Sequence, residues 1–455
     1  MPVDGVALVA RPTITALPPG LRVLLVVYSL AVDAVVWFAL APALWVRSLV
    51  TRAGRTELWQ RLGWVEPRAE SRRAPAARPV MVHAVSAGEM NAAAPLVAAL
   101  GADKRRVLLT TGTAAGLQTA ERLAREQSNI DGCVYLPWDR RAVRRWLGVM
   151  APSAVIVVET EIWPNLFTTC KRLQIPLFIA NGRIRPRDVW TYRLARMFFR
   201  GVLDSAVWIG VQSARERDAF VAIGAPAARV EVAGNLKFDA ALGARSESAL
   251  LTDDADGRPL VVAGSTHDPE ERWLLECART LSDHGRRIRL VVAPRDVARA
   301  GTVSRLARAR GLRPLAWSEW STNTAAPWDV LVLDNYGTLA SCYTGADVVV
   351  IGGTFVRVGG HNILEAAAAA RPILVGPYVD EISALVEPFE AAGALMRLSS
   401  ADPAGSLADA CRTLFDDPER ARVMGAAARD ICRQGAGSAA RHVRVIVEQL
   451  AASAG

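Results

Sequence analysis

From Val80 onward, short apolar runs alternate with helix-like segments, and this alternation constrains the fold more than any other feature of the chain. Five runs in the first half have the character of buried strands: Val80–Val85, Val107–Thr110, Ala154–Val158, Leu177–Ala180 and Ala206–Val211. Helix-like segments such as Asn91–Leu100 and Gly116–Glu126 lie between them. Strands that are apolar along their length and alternate with helices are typical of a parallel sheet covered on both faces. The pattern predicts a Rossmann-like domain over residues 80–240.

The alternation stops in a polar segment near residues 239–258 and then resumes in the second half. The new apolar runs are Leu260–Ala263, Ile288–Ala293, Val330–Leu333, Asp347–Ile351 and Ile373–Val375. They predict a second Rossmann-like domain over residues 259–437, and a chain of 455 residues is indeed too long for one ordinary core. A last helix, within residues 438–455, could pack back on the first domain. Two such domains facing each other leave a cleft at the carboxyl ends of both sheets, where ligands bind in this architecture.

Residues 1–65 precede the first domain and contain a nearly continuous apolar run from Val23 to Val46, with Asp33 as its one charge. That length suffices to cross a hydrocarbon core of about 30 Å. Four basic residues follow the run, which places the bulk of the protein in the cytoplasm by the positive-inside rule: Arg47, Arg52, Arg55 and Arg61. Asp33 and Pro42 weaken a spanning helix, so a helix lying in the membrane interface remains the alternative. We expect a membrane anchor of one kind or the other, followed by a linker at residues 66–79.

Composition and charge narrow the classes of partner. Lys and Arg number 54 against 45 Asp and Glu, a formal charge of +9, which suits an anionic partner or is simply an arginine-rich composition. The six cysteines form no CxxC pair and the five histidines no HExxH pattern, so a zinc site or a disulfide framework is not expected and a reducing cytoplasm fits. Asp254 and Asp256 spell DxD, a motif that can hold a metal with a nucleotide sugar. Here it lies in the polar segment before a strand, where solvated linker charge is the favoured interpretation.

Three polar clusters in the first half follow strands or lie at the domain junction. After His83 a strand ends, a glycine permits a tight turn, and a helix starts at about Glu89. That carboxylate could accept a proton from a hydroxyl, or could simply complement a helix N-terminus. Glu159 and Glu161 follow a strand and have a Trp and an Asn close by, a combination that is unusual in a loop with only a structural role. Lys237, at the domain junction, could face an anion or be a surface lysine.

Two small-residue segments in the second half are candidates for a nucleotide site. Gly264, Ser265, Thr266 and His267 follow a strand and precede a helix over Glu270–Thr280, so backbone amides there could approach a phosphate. Gly352 and Gly353 follow another strand, and a second glycine pair then leads into a helix whose first turn carries Glu365. This arrangement could hold a phosphate on the loop and a ribose on the carboxylate. A tight turn with a capping asparagine is the structural alternative, and we favour the nucleotide.

Six segments, in order and with fitting spacing, resemble the motifs of the 3-deoxy-D-manno-octulosonic acid (Kdo) transferases of lipopolysaccharide assembly. They are HAVSAGE (83–89), ETEIWPNL (159–166), IANGRI (179–184), GNLKFD (234–239), GSTHDPEE (264–271) and GGTFVRVGGHNILEAA (352–367). The resemblance runs from the apolar segment to about residue 435. It implies the glycosyltransferase B fold and transfer of Kdo, with inversion, from CMP-Kdo to a lipid A precursor (lipid IVA) at the cytoplasmic face of the inner membrane.

The resemblance also implies roles for individual residues. Glu89 would be the general base, and Glu159 and Lys237 would stabilise the transition state. CMP contacts would come from Pro294, Arg295, Tyr336, Gly337, Thr338, Asn362, Ile363, Leu364 and Glu365. The glycine-rich turns at Gly264–Thr266 and at Gly352 and Gly353 stay as candidates for phosphate contact. No cofactor, metal or nucleic acid is expected; the partners would be a CMP-sugar, a phosphorylated glycolipid and membrane lipid.

Some positions depart from the family pattern. This chain has Asp296 and Val297 where the family usually has His-Pro, Thr338 where it usually has Glu, and Gly182 where it usually has Ala. An Asn-Phe pair that usually follows the Gly376-Pro377 turn is absent. The larger changes fall in the second half, so a transferase of the same fold with a different nucleotide-sugar donor is the first alternative. A nucleotide-sugar epimerase and a noncatalytic membrane scaffold are the others; the membrane segment argues against the former and the intact acidic and basic residues against the latter.

Overall fold

The computed structural model describes residues 17–65, 78–243, 251, 257–322, 324, 326–399 and 401–454. The chain divides into two compact units, one formed by Met1–Ala240 with Ala436–Gly455 and the other by Ala241–Gly435. Most of the linker predicted at 66–79 lies outside the described residues, as do Asp254 and Asp256 of the DxD sequence.

The apolar N-terminal run forms one helical segment. It consists of α1 (Pro19–Val35), a π-helical turn (Val36–Leu40) and α2 (Ala41–Val50), and a tight corner leads into α3 (Arg52–Arg61). Thr51 makes the corner: its hydroxyl accepts a hydrogen bond of 3.0 Å from the Gly54 amide and caps α3. The segment from Pro19 to Val50 is long and apolar enough to cross a membrane by length and composition.

Within the described part of the first unit, seven parallel strands form one sheet in the order β3-β2-β1-β4-β5-β6-β7. The strands are β1 Val80–His83, β2 Val107–Thr111, β3 Ile130–Tyr135, β4 Ala154–Val158, β5 Leu177–Gly182, β6 Trp208–Val211 and β7 Val230–Val232. The helices are α4 Ala87–Ala102, α5 Ala114–Glu126, α6 Ala142–Met150, α7 Pro164–Arg172, α8 Pro186–Leu194, α9 Arg196–Leu203, α10 Ala214–Ala222 and α11 Leu236–Gly243, with a 3-10 turn at Ala227–Arg229. The five predicted strands are confirmed; the edge strands β3 and β7 were not foreseen.

Helices cover both faces of this sheet, as the apolar strands predict. Alternate residues of β1 point to opposite faces: Val82 packs in one core with Leu96 of α4, and Met81 packs in the other with Trp146 of α6. The C-terminal helix α20 (Ser438–Ala454) packs against α4 and buries Ile446 in the first of these cores. The last helix of the chain is thereby part of the first unit.

The described residues of the second unit repeat this architecture, with strand order β10-β11-β9-β8-β12-β13-β14. The strands are β8 Leu260–Thr266, β9 Arg289–Pro294, β10 Pro314–Ala316, β11 Val330–Val332, β12 Val348–Ile351, β13 Ile373–Val375 and β14 Leu395–Arg397. The helices are α12 Glu270–Asp283, α13 Ala300–Arg308, α14 Trp317–Trp320, α15 Leu339–Thr344, α16 Leu364–Ala368, α17 Ser383–Ala391, α18 Pro403–Asp416 and α19 Pro418–Gly435, with 3-10 turns at Val297–Arg299 and Asp380–Ile382. Two parallel α/β units of this kind confirm the predicted fold class.

Candidate active site

In each sheet the strand order reverses between two neighbouring strands. The first chain segment runs from β1 outward to β2 and β3 and then returns to the other side as β4; the second sheet reverses in the same way between β8 and β12. Ligands of open parallel sheets bind at the carboxyl ends of the strands at such a reversal, because loops leaving in opposite directions open a crevice there. Glu89 follows β1 and Glu159 follows β4. In the second sheet Gly352 follows β12, but the prediction that Gly264–Thr266 follow a strand is wrong, because these three residues are the last ones of β8 and only His267 lies beyond it.

Glu89 lies in the first turn of α4 and closes a capping box. The helix begins at Ala87, and the Ser86 hydroxyl accepts a hydrogen bond of 3.3 Å from the Glu89 amide. In return, Oε2 of Glu89 accepts a hydrogen bond of 3.4 Å from the Ser86 amide, which closes the box, and one of 2.7 Å from the Val85 amide. The expected tight glycine turn before Glu89 is wrong, because Gly88 is itself within the first helical turn, where the capping box and not glycine sets the entry of the chain.

The surroundings of Glu89 raise its pKa. Burial is the largest cause and the charge of Glu159 the second, while hydrogen bonds from the Val85 and Ser86 amides act in the opposite direction. A carboxylate with a raised pKa accepts a proton more readily than an ordinary glutamate does. The capping role that the sequence left open is therefore present, and it holds in place a carboxylate whose electrostatics suit a base.

Glu159 is held in an unusual backbone conformation directly after β4. Its φ of 63° lies in the left-handed region, which costs a residue with a side chain about 1–3 kcal/mol and clusters at functional sites. Its Oε1 lies 3.0 Å from Nζ of Lys237, and the two side chains are 13% and 27% exposed. This half-buried ion pair joins the ETEIWPNL segment, which carries Glu159, to the GNLKFD segment, which carries Lys237.

Lys237 lies in the first turn of α11, where a cation is opposed by the helix dipole. The turn is fixed from two sides: Asn235 Oδ1 accepts from the Lys237 amide at 3.0 Å, and Asn181 Oδ1 accepts from the Leu236 amide at 3.0 Å. Asn181, also left-handed at φ 58°, donates its own amide to Nε2 of His442 in α20 at 3.0 Å. The IANGRI and GNLKFD segments and the C-terminal helix thus cooperate to position one ammonium group.

Glu161 joins this group, although neither its residue type nor its motif assigned it a role. Burial raises its pKa to about 7, and the charges of Glu89 and Glu159 add to that effect. The charge of Glu159 thus raises the pKa of both Glu89 and Glu161, and Glu159 itself is paired with Lys237. The signal was present as the second acid of ETEIWPN, but one sequence does not show which of two neighbouring acids faces the site.

In the second unit, Glu270 ties the two small-residue segments together. This buried carboxylate begins α12 and accepts hydrogen bonds from the amides of His267 (2.8 Å), Gly353 (2.8 Å) and Phe355 (3.0 Å). The Gly353 amide is consequently already engaged and is not directed to a phosphate. A Cβ on Gly264 would meet the Tyr343 hydroxyl at 1.9 Å, and one on Gly352 would meet the Ser265 carbonyl at 2.3 Å, so both glycines permit close packing of the loops.

Two histidines of the predicted nucleotide region form a pair. The rings of His267 and His361 stack with centroids 5.1 Å apart, and their Nε2 atoms are 2.8 Å apart. Burial lowers the pKa of His361 to about 4, helped by the charges of His267 and Arg295, so this ring is neutral near pH 7. Burial also lowers the pKa of His267. Arg295 follows β9, and its amide donates to the Thr266 carbonyl at 2.9 Å, which brings the strand ends of β8 and β9 together.

The remaining predicted CMP contacts lie on three loops of the same unit. Pro294 is the buried last residue of β9. Tyr336 is 70% exposed, Gly337 has φ 97°, and the Thr338 hydroxyl accepts from the Asn335 amide group at 2.9 Å. Asn362 Oδ1 accepts a hydrogen bond of 3.2 Å from the amide of Leu364, the first residue of α16, but the N-cap position itself is Ile363, which has no capping side chain. Ile363 and Leu364 are buried.

Glu365 follows in the first turn of α16, and burial raises its pKa. Within the described ranges, no three His, Cys, Asp or Glu side chains form a group that could hold a metal ion.

The chain is similar to proteins of one family. Residues 56–240 match the family described as 3-deoxy-D-manno-octulosonic-acid transferase (kdotransferase). The chain is 32% identical to the 3-deoxy-D-manno-octulosonic acid transferase of Bordetella pertussis, over 93% of this chain and 99% of that protein. It is 28% identical to the transferase of the same name from Haemophilus influenzae, over 80% and 85%.

A solved structure shares the fold. The UDP-GlcNAc 2-epimerase from Neisseria meningitidis bound to UDP-GlcNAc covers 82% of this chain and 99% of its own at a TM-score of 0.57 and 14% identity, a likeness that shows the fold alone. Membership of the family is shown instead by the near full-length match to the Bordetella transferase. The chain is therefore a glycosyltransferase that belongs to the Kdo transferase family.

Proposed function

We propose that this protein transfers Kdo from CMP-Kdo to a phosphorylated lipid A precursor, lipid IVA, with inversion at the anomeric carbon. The observation that carries the proposal is the cluster of Glu89, Glu159 and Lys237 at the strand-order reversal of the first sheet, on the motifs that carry the family resemblance. The donor and acceptor are inferred from that resemblance and from the chemistry of these residues.

Glu89 acts as the general base. The acceptor hydroxyl loses its proton to the Glu89 carboxylate while its oxygen forms a bond to the anomeric carbon, and the bond from that carbon to the phosphate oxygen of CMP breaks. The Glu89 carboxylate is held in one orientation, because its Oε2 accepts a hydrogen bond from the Val85 amide. Positioning of this kind reduces the entropy that the reaction would otherwise lose.

Lys237 and Glu159 stabilise the charge that develops. CMP leaves as a phosphate monoester dianion and Kdo carries a carboxylate, so an ammonium held by its neighbours is favourable in the transition state. Glu159 Oε1, 3.0 Å from Nζ, holds the Lys237 ammonium in place. In the second unit, the Arg295 cation and the Tyr336–Thr338 and Asn362–Glu365 loops hold the nucleotide.

The nucleotide preference tests the donor half of the proposal. We expect CMP to bind more tightly than UMP or GMP, without magnesium and in excess EDTA, because the leaving group is a single phosphate that cations and amides can offset. Isothermal calorimetry on the full chain, with and without magnesium, measures this. Strict magnesium dependence or a preference for another nucleotide would favour the alternative raised by Asp296, Val297 and Thr338: a transferase of the same fold with a different donor.

We further propose that the N-terminal helix lies in the cytoplasmic membrane interface of the inner membrane and does not cross the bilayer. Leu21 and Leu25 pack with Phe198 at one end of the helical segment, and Val36 and Ala41 pack with Leu58 farther along. Polar bonds join the same face to the body of the first unit, Ser29 to Asn165 at 3.2 Å and Asp33 to Arg140 at 2.6 Å. These contacts give Asp33 a partner and hold the helix along the protein.

The opposite face of the helix is apolar and exposed, as an interfacial helix requires. Phe38 is 88% exposed, and exposed apolar residues continue on α9, which contacts α1, and on α8, which contacts α9: Trp190, Leu194 and Met197. Exposed arginines on α9 and at its start would be attracted to anionic lipid headgroups. The net positive charge of the chain would then serve both to attract anionic lipids and to bind a phosphorylated substrate.

Labelling with a membrane-impermeant maleimide separates the interfacial helix from a spanning one. Gly20→Cys and Val50→Cys place single thiols at exposed positions near the two ends of the helix. In inverted inner-membrane vesicles, which expose the cytoplasmic face, an interfacial helix leaves both thiols reactive. The unsubstituted protein gives the background from its own cysteines. Labelling of Val50→Cys alone, with Gly20→Cys reacting only after the vesicles are permeabilised, would show that the helix spans.

A further inference from the structure

A cavity of about 400 Å³ lies inside the first unit, between the N-terminal helical segment and the carboxyl end of the first sheet. Leu40, Ala43 and Leu44 line it from the helical segment, and residues after β1, β2 and β3 line it from the sheet. Trp163, from the ETEIWPNL segment, completes the wall. The volume is within the range of about 300–1,000 Å³ typical of small-molecule sites.

The charged groups in the wall are already paired with one another. Glu57 lies 3.0 Å from Arg47 and 3.6 Å from Arg61. The Arg61 guanidinium also donates to the carbonyls of Leu136 and Gly112 and lies 4.7 Å from the Tyr135 ring centroid. A carboxylate in the wall and an arginine with its donors engaged argue against a phosphate in this cavity. The rest of the lining is mostly apolar and favours a hydrocarbon ligand.

A histidine in the wall has a ring nitrogen without a hydrogen-bond partner among the described residues. His83 is fully buried, and its Nδ1 is hydrogen-bonded to the Thr110 hydroxyl at 3.0 Å. Its Nε2 is buried without a hydrogen bond from any residue that the structure describes. Burial and the charge of Arg61 lower the pKa of His83 to about 3, so the ring is neutral. An unpaired buried polar group costs about 1–3 kcal/mol, and a ligand that offers a hydroxyl or carbonyl group would remove that cost.

The cavity connects the two parts of the protein that a lipid acceptor would need. At one end, Leu40 and Ala43 belong to the helix whose outer face we place in the membrane interface. At the other end, Val85 lines the cavity and donates its amide to Glu89 Oε2 at 2.7 Å. A chain lying in the cavity would therefore have its polar head close to the base and its apolar end at the membrane helix.

We propose that this cavity is the acyl-chain subsite of the acceptor. It takes the head-group end of one acyl chain of a membrane glycolipid, with His83 Nε2 hydrogen-bonded to the carbonyl or a hydroxyl group at the start of that chain. The inference rests on the proposed function for the identity of the lipid, but the cavity and its preference for an acyl chain do not depend on the donor sugar.

The test is photolabelling of the full-length protein in detergent with a lauric acid that carries a diazirine near its methyl end. We expect labelled peptides from the cavity wall, around residues 40–44 and 136–138. Ala43→Trp fills the cavity from an exposed helix position, and labelling there should fall by about tenfold or more. Ala39→Trp, the same substitution on the same segment but outside the cavity, is the matched control and should label like the unsubstituted protein.

A tetra-acylated lipid acceptor should compete with the label and CMP should not. Equal labelling of the Ala43→Trp and Ala39→Trp variants, or labels confined to the outer face of the helix, would overturn the inference. A transfer assay on the unsubstituted protein keeps the two proposals apart. If Kdo is transferred but the cavity is not labelled, the subsite is wrong and the function stands; if the cavity is labelled but no Kdo is transferred, the acyl site stands and the function falls.

Discussion

Glu89→Gln is expected to reduce the rate of transfer by about 10²–10⁴-fold without unfolding the protein. An amide cannot accept the proton of the acceptor hydroxyl. Glutamine at this helix position still completes a capping box, so the N-terminus of α4 should stay intact. The rate is measured with saturating acceptor, and the melting temperature is measured on the same preparations.

Ser86→Ala is the matched control, because it removes the other half of the capping box and leaves the carboxylate. Loss of an N-cap hydroxyl costs about 0.5–2 kcal/mol of stability, so this variant should melt earlier yet retain most of its activity. Near-normal turnover of Glu89→Gln would mean that Glu89 only caps the helix. The pH dependence of kcat/KM gives a further check. Burial and the charge of Glu159 raise the pKa of Glu89, so Glu89 becomes protonated at a higher pH than an ordinary glutamate. We therefore expect kcat/KM to begin to fall at a correspondingly higher pH as the solution is acidified.

Lys237→Met is expected to give the second largest effect, a fall in kcat of about 10²–10³-fold. The substitution removes the ammonium that lies 3.0 Å from Glu159 and leaves that carboxylate without its cation. Methionine keeps an unbranched side chain of similar length, so the packing of α11 should change little. Steady-state kinetics with CMP-Kdo and a tetra-acylated acceptor give kcat and KM separately.

The double variant Glu159→Gln with Lys237→Met separates catalysis from charge balance. If Lys237 serves only to neutralise Glu159, removing both charges should restore activity toward the original level. If both side chains stabilise the transition state, the double variant should be at least as slow as either single one. Restoration would remove both residues from the proposed mechanism and leave Glu89 and Glu161 as the remaining candidates.

The strands that the sequence did not reveal share one physical property. β3, β7, β10 and β14 are the outer strands of the two sheets. An edge strand is less covered by neighbours, so it need not be a continuous apolar run; β3 reads Ile-Asp-Gly-Cys-Val-Tyr, and the other three have only three residues each. The central strands, apolar along their whole length because helices cover both faces, were predictable.

The candidate site divides in a similar way. Glu89, Glu159 and Lys237 were found because their motifs are local, and parallel strands bring such segments to one edge of the sheet. Their exact contacts were not predictable. The turn before Lys237 is held by Asn181, which accepts from the Leu236 amide, and Asn181 donates its backbone amide to His442, and these segments are far apart in the chain. Glu270 was missed because its partners, Gly353 and Phe355, lie more than eighty positions away.

The central claim is tested most directly by mass spectrometry of the product formed from CMP-Kdo and a tetra-acylated lipid A precursor. The full-length protein is purified in detergent and incubated with both substrates, and Glu89→Gln serves as the inactive control. We predict that the acceptor gains the mass of one or more Kdo residues and that CMP is released in equal number. Absence of that mass gain under conditions in which the protein is folded and binds CMP, or transfer of a different sugar from a different nucleotide, would contradict the proposed function.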